Sequence, residues 1–215
     1  MSAFTLPPIS EITRQVKAAA AEAGFDLAGI AGVSEFPELD YFPAWIAQGR
    51  GADMAYLQAR DEQGCLKRAS LRSVAPWARS VVVCGLNYNT SQPYSTQVND
   101  SERGWISRYA WGRRDYHNVV LQKLKRVESK ISGQWPVGSG QKTDGQIRTR
   151  VYVDTGPLVE RVYAKYAGIG WIGKNTCIIN QRLGSWFFLG VILTSLELAP
   201  DLPAPDRCGT CTRCL

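Results

Sequence analysis

The stretch TRVYVDTGP at residues 149–157 decides how this chain reads. Thr149 to Val153 mixes β-branched and aromatic residues in the way of a strand, and the acid Asp154 closes it. Pro157 suits the first turn of a helix, which Glu160, Val162, Tyr163 and Tyr166 carry to a stop at Gly168. Asp154 is therefore expected where a strand hands over to a helix, a rigid position that often bears a functional group in α/β proteins. A helix N-cap beside Thr155 and Gly156 is the alternative role for its carboxylate.

The same alternation continues on both sides. Residues 10–24 predict a helix with Ser10 as N-cap, an apolar stripe of Ile12, Val16, Ala19 and Ala20, and Gly24 as stop. FDLAGIAGV (25–33) reads as a strand, 38–48 as a helix closed by Gly49 and Gly51, and SVVVCGLNY (80–88) as a buried central strand. Polar residues 89–102 mark a surface loop. A helix over 118–131 follows, with Val120, Leu124, Val127 and Ile131 on one stripe. Residues 133–145 read as a second loop, and SWFFLGVILTS (185–195) as a further strand. Strands and helices alternate without repeats, which predicts an α/β or α+β architecture with a mixed sheet covered by helices. The main domain is expected over 1–198; Pro200, Pro203 and Pro205 read as a linker into a truncated module over 199–215.

Composition narrows the function. A hydrophobic content of 45%, with seven Trp, nine Tyr and six Phe, supplies a packed core. No secretory start and no long apolar run is present, so the expected location is the cytoplasm, away from any membrane. The net charge of +6 favours a polyanionic partner without requiring one. Three of the six cysteines, Cys65, Cys84 and Cys177, stand alone and are expected as small core residues. The other three form Cys208-x-x-Cys211-x-x-Cys214, the opening of a ferredoxin run in which soft thiolates at intervals of three wrap an iron–sulfur cubane. Zinc is the alternative, disfavoured because the chain has one His, at 117, and no second cysteine hook. Gly168-Ile-Gly170-Trp-Ile-Gly173 imitates a dinucleotide loop but follows a helix, so its glycines are assigned to a tight turn or to close approach of a large flat ligand. Asp115-Tyr-His117 leaves the lone His as a structural hydrogen-bonding residue; Val120 stands where a cobalamin lower-ligand motif wants Gly, so cobalt ligation is not assigned.

Together, VDTGPLVER (153–161), AGIGWIGKNT (167–176), GSWFFLG (184–190), the cysteine run, Arg108-Tyr-Ala and Asp115-Tyr-His117 resemble epoxyqueuosine reductases in order and spacing over nearly the whole chain. The resemblance implies a cobalamin-dependent oxidoreductase that reduces the epoxide of epoxyqueuosine to queuosine in the anticodon loop of tRNA, fed through two [4Fe–4S] clusters by an unidentified reductant. It implies a cobalamin-binding fold of the reductive-dehalogenase and nitroreductase kind, followed by a ferredoxin-like module, in a monomer. By position, Asp154 matches the proton donor, while Arg68, Asp115, Tyr116, His117 and the backbone around Ile178 and Leu189 lie where the family lines its cobalamin pocket. Cys208, Cys211 and Cys214 match cluster ligands. The chain has Gly112-Arg-Arg-Asp115 where Gly-Arg-Asp is expected, and the remaining cluster cysteines are not in it, as in a fragment. Two other readings remain: a reductive dehalogenase acting on a small organohalide, and a non-catalytic electron-transfer module.

Overall fold

The computed structural model describes residues 7–98, 100–134 and 147–214. In chain order the elements are α1 (Ile9–Glu22), β1 (Leu27–Gly32), α2 (Pro37–Ala47), α3 (Leu71–Val74), β2 (Ser80–Asn87), α4 (Tyr116–Gln134), β3 (Thr149–Tyr152), α5 (Glu160–Tyr166), β4 (Trp171–Ile172), β5 (Ile178–Ile179) and β6 (Phe187–Thr194). The main sheet runs β1-β2-β6-β3, and β4 pairs with β5 in a separate hairpin. Each pairing is antiparallel, with Val82 opposite Ile30 on one side and Ile192 on the other. The expected mixed sheet is thus corrected to an antiparallel one, while the α+β class stands. Periodicity reports burial and cannot report strand direction.

Alternation along β2 builds two cores. Val81 and Val83 join Leu39 of α2 and Val162, Tyr163 and Ala164 of α5 on one face. Val82 and Cys84 join Val16 and Ala20 of α1 and the α4 stripe on the other. The sheet is therefore the middle layer of three, as the hydrophobic run of β2 requires. Val120, Leu124, Val127 and Ile131 are all fully buried, each contributing about 1.5–3 kcal/mol.

Element ends explain several departures. Ser10 lies inside α1, which Pro8 precedes as cap residue without a side-chain bond. Gly24 does stop that helix: at φ +85° it lets Phe25 N–H reach the Ala20 carbonyl at 3.1 Å and its own N–H reach Ala21 at 2.9 Å, a conformation L side chains resist. Helix α4 starts two residues before the expected Asn118. Pro157 falls outside α5, whose cap residue is Val159, so Asp154 is not its N-cap. Cys84 is buried, and burial pushes its thiol up to about 12. Cys65 and Cys177 are exposed, against the expectation of core positions, because both sit in polar turns capped by Asp61 and Asn175. The expected loop at 133–145 lies outside the described residues from 135 onward.

Candidate active site

The functional side chains converge where α4 begins and β3 ends. Asp115 turns the chain into α4 by accepting the His117 N–H at 2.9 Å, and its Oδ1 also faces His117 Nδ1 at 2.8 Å. These contacts hold the Asp115 carboxyl below its ordinary range. Tyr116 stacks on Phe188 of β6 at 4.2 Å and meets the edge of Tyr109 at 5.9 Å. Its hydroxyl donates to Asp154 Oδ2 at 2.5 Å, and His117 Nε2 stands 3.3 Å from the same oxygen. Desolvation first, then the bond to Asp154, raises the Tyr116 phenol well above its usual value, so that proton stays on the ring oxygen. One carboxylate oxygen is thereby addressed by two ring systems on a single helical turn.

Asp154 itself sits at φ +56°, in the left-handed region. Such a conformation costs a non-glycine residue about 1–3 kcal/mol, least for Asp and Asn, and clusters at functional sites. The adjacent Thr155 N–H closes a tight turn on the Val153 carbonyl at 2.6 Å. The Asp154 side chain remains 49% exposed, so the chain's own residues do not bury it.

Arg68 and Glu160 lie beside this turn. Arg68 donates Nη1 to the Leu158 carbonyl at 2.9 Å and sits 5.4 Å from the Tyr56 ring centroid. Glu160 opens α5, and its Oε1 is buried without a hydrogen-bond partner. Burial, with the Asp154 charge adding to it, pushes its carboxyl up to about 7 against the opposing pull of its own N–H and of Arg68 and Arg161. Sequence reading used Glu160 only as a helix former. The signal was an acid six residues after Asp154 within one strand–turn–helix segment.

Ile178 and Leu189 lie in the apolar layer on the α5 face of the sheet, where Ile178 is buried and Leu189 partly so. Neither contributes a polar side chain to the Asp154 cluster. Gly170 lies against β5: a Cβ there would fall 2.4 Å from the Ile179 carbonyl oxygen. Gly170 and Gly173 thus serve the close β4–β5 hairpin, one of the two roles expected of this run, while Gly168 ends α5 at φ +70°.

A second set of side chains centres on Arg108, which carries part of the sequence resemblance but was given no role from it. Arg108 is buried, donating to Asn89 Oδ1 and to the carbonyls of Thr90, Gln92 and Pro93 at 2.9–3.0 Å. It lies 4.6 Å from the Trp186 centroid and 4.9 Å from that of Trp111. This one cation orders the loop expected over 89–102; Trp105, Ile106, Tyr109 and Trp111 nearby in sequence are exposed, and Tyr109 meets Tyr116. A broad apolar surface next to a polar cluster fits a large flat cofactor in kind. A cleft of about 590 Å³ lined by Glu35, Pro43, Ile46, Arg60, Cys65 and Ser73 includes none of the expected site residues.

The tail is held to the domain. Asp201 pairs with Lys17 at 2.5 Å and accepts the Ile30 N–H, while the Ala204 N–H reaches Lys165. Trp171 Nε1 faces Cys208 Sγ at 3.4 Å, Lys174 donates to the Cys211 carbonyl, and the Cys211 N–H closes a turn on Cys208. Among the described residues no group of three or more His, Cys, Asp or Glu side chains is arranged to hold a metal ion. The three free thiols at intervals of three fit an iron–sulfur cluster in donor type and leave it short of a fourth ligand.

The three-layer arrangement is shared with reductive dehalogenases: a structure described as suggesting a mechanism for B12-dependent dehalogenation superposes with a TM-score of 0.53 at 15% identity, covering 96% of this chain and 22% of that one. That likeness establishes the fold. The sequence relation is to epoxyqueuosine reductases. Residues 68–155, which include Arg68, Asp115, Tyr116, His117 and Asp154, match the family model "Epoxyqueuosine reductase QueG, DUF1730". The epoxyqueuosine reductase of Synechocystis sp. is 44% identical over 190 residues, covering 87% of this chain and 59% of the relative. A crystal structure of epoxyqueuosine reductase with an epoxyqueuosine-modified tRNA-Tyr stem loop has a TM-score of 0.71 at 31% identity, covering 96% of this chain and 51% of that one. The chain is thus similar to epoxyqueuosine reductases over nearly all its length and spans between half and two thirds of theirs. No helix among the described residues is long and apolar enough to cross a membrane.

Proposed function

We propose that this chain is the cofactor-holding, proton-delivering part of a cytoplasmic, monomeric epoxyqueuosine reductase, which removes the epoxide oxygen of epoxyqueuosine in the anticodon loop of tRNA. The observation that carries the reading is the cluster at Asp154, where Tyr116 and His117 address one carboxylate oxygen within the segment that matches the family model. Arg68, Asp115, Tyr116, His117 and the backbone near Ile178 and Leu189 would hold cobalamin, with the exposed aromatic loop around Arg108 beside it. When bound, cobalamin would supply a low-potential redox centre for the epoxide.

The chain's own part is acid catalysis. Asp154 gives a proton to the departing oxygen, so that an alkoxide, a poor leaving group, is never released. The Tyr116 hydroxyl keeps its proton and pins Asp154 Oδ2, which leaves Oδ1 to carry the transferable one. His117, held by Asp115, keeps the carboxylate in place from the other side. Residues 199–215 would begin a ferredoxin-type module in which Cys208, Cys211 and Cys214 would hold a [4Fe–4S] cluster fed by a separate reductant, with Trp171 and Lys174 contacting this segment.

The test is single-turnover reduction of epoxyqueuosine-containing RNA by the full-length protein loaded with cobalamin and iron, with nucleosides measured by mass spectrometry. Queuosine formation is the expected result. Halide release from an organohalide without queuosine formation would move the function to the dehalogenase class.

A further inference from the structure

Reductive removal of an epoxide oxygen consumes more than Asp154 can give once. Both C–O bonds break, a C=C bond forms between the two carbons, two electrons enter from an iron–sulfur reductant, and the oxygen takes up two protons to leave as water. A single carboxyl that has given its proton must regain one before the second is delivered.

We propose that Glu160 is the proton reservoir of this site, returning a proton to the Asp154 carboxylate so that the oxygen can leave as water; the inference rests on the proposed function. Glu160 opens α5 six residues after Asp154, in the segment that leads from that turn into the helix. Its Oε1 is buried without a partner among the described residues. The charged groups that act on it are Arg68, Arg161 and Asp154. Neither cation pairs with it: Arg68 spends its Nη1 on the Leu158 carbonyl, and Arg161 donates to the Thr176 carbonyl at 2.7 Å. A buried carboxyl without an ion pair favours its neutral form, because desolvation penalises the charged one and the nearby Asp154 carboxylate repels it. Its value of about 7 agrees with that geometry. Asp154 stands in other surroundings, half exposed and engaged at Oδ2 by Tyr116. Two carboxyls placed in such unlike surroundings can divide proton delivery between them.

Two measurements test the reservoir. In the present chain, the infrared difference spectrum between wild type and Glu160→Gln should contain a protonated-carboxyl C=O stretch that is full at pH 5 and fades near pH 7. Absence of that band from folded protein at pH 5 would overturn the proposal, whatever reaction the protein carries out. In the loaded full-length enzyme, Glu160→Gln should keep cobalamin and iron content yet slow queuosine formation by roughly 10²-fold or more. The wild-type rate should fall as pH rises through 7, the variant's should lose that dependence, and Glu160→Asp should restore part of the rate. An unchanged pH profile in Glu160→Gln contradicts the reservoir even where the reaction itself is confirmed.

Discussion

The Tyr116 hydroxyl donates to Asp154 Oδ2 at 2.5 Å, joining the first residue of α4 to the turn that ends β3. Segments 38 residues apart are thereby tied at one oxygen. Phe188, stacked 4.2 Å beneath the Tyr116 ring, fixes the donor's direction. Tyr116→Phe should keep this stacking and the fold while freeing Asp154. With hydrogen bonds to charged groups contributing about 1.5–3 kcal/mol, single-turnover rate should fall roughly 10-fold or more while the variant remains folded. A normal rate in the variant would show that the phenol does not position the acid.

Glu160 makes a separate prediction for stability. Its folded value of about 7 lies above the ordinary 4.5, so the folded chain holds a proton that the unfolded chain has lost between those pH values. Stability from this group is complete below about 4.5 and declines as pH rises through 7. Glu160→Gln should therefore be more stable than wild type at pH 8 and close to it at pH 5, as read by urea denaturation. A difference that does not change between the two pH values would exclude a buried neutral carboxyl.

The packing of α4 can be tested without any cofactor. Leu124 is fully buried between the helix and the sheet. Leu124→Ala should cost about 2–5 kcal/mol in denaturant unfolding. A loss under about 1 kcal/mol would mean that the helix does not pack as described.

Cobalamin should bind the present chain measurably but weakly, since the residues proposed to hold it, Arg68 and the Asp115–Asp154 cluster, are assembled while His117 and Asp154 stand about half exposed. Equilibrium dialysis against the cofactor decides this. No uptake by folded protein would place essential parts of the pocket outside these residues.

Legibility differed by kind of feature. The α4 stripe, the β2 run and the Gly24 and Gly168 stops were readable because they depend on local periodicity and on backbone sterics. Strand direction was not, since an all-buried strand looks alike in either pairing. Asp154 stood out as a strand-end acid, yet its left-handed turn displaced Pro157 from the helix that the local pattern had offered it. Arg108 was invisible as an organiser because its partners are mainly carbonyls, which carry no sequence signal. Glu160 was hidden for another reason. A Glu in the first turn is ordinary helix chemistry, and only the burial of its Oε1 without a partner marks it.

If Asp154 delivers the proton during epoxide reduction, single-turnover conversion of epoxyqueuosine-containing RNA by full-length Asp154→Asn reads that role directly. Asn keeps the size of the side chain and can still accept from Tyr116, but it carries no transferable proton. With cobalamin and iron content matched to wild type in the same samples, queuosine formation should fall by roughly 10²–10⁴-fold. Near-normal conversion by the loaded variant would remove Asp154 from the chemistry and leave the Tyr116–His117 cluster as a structural junction.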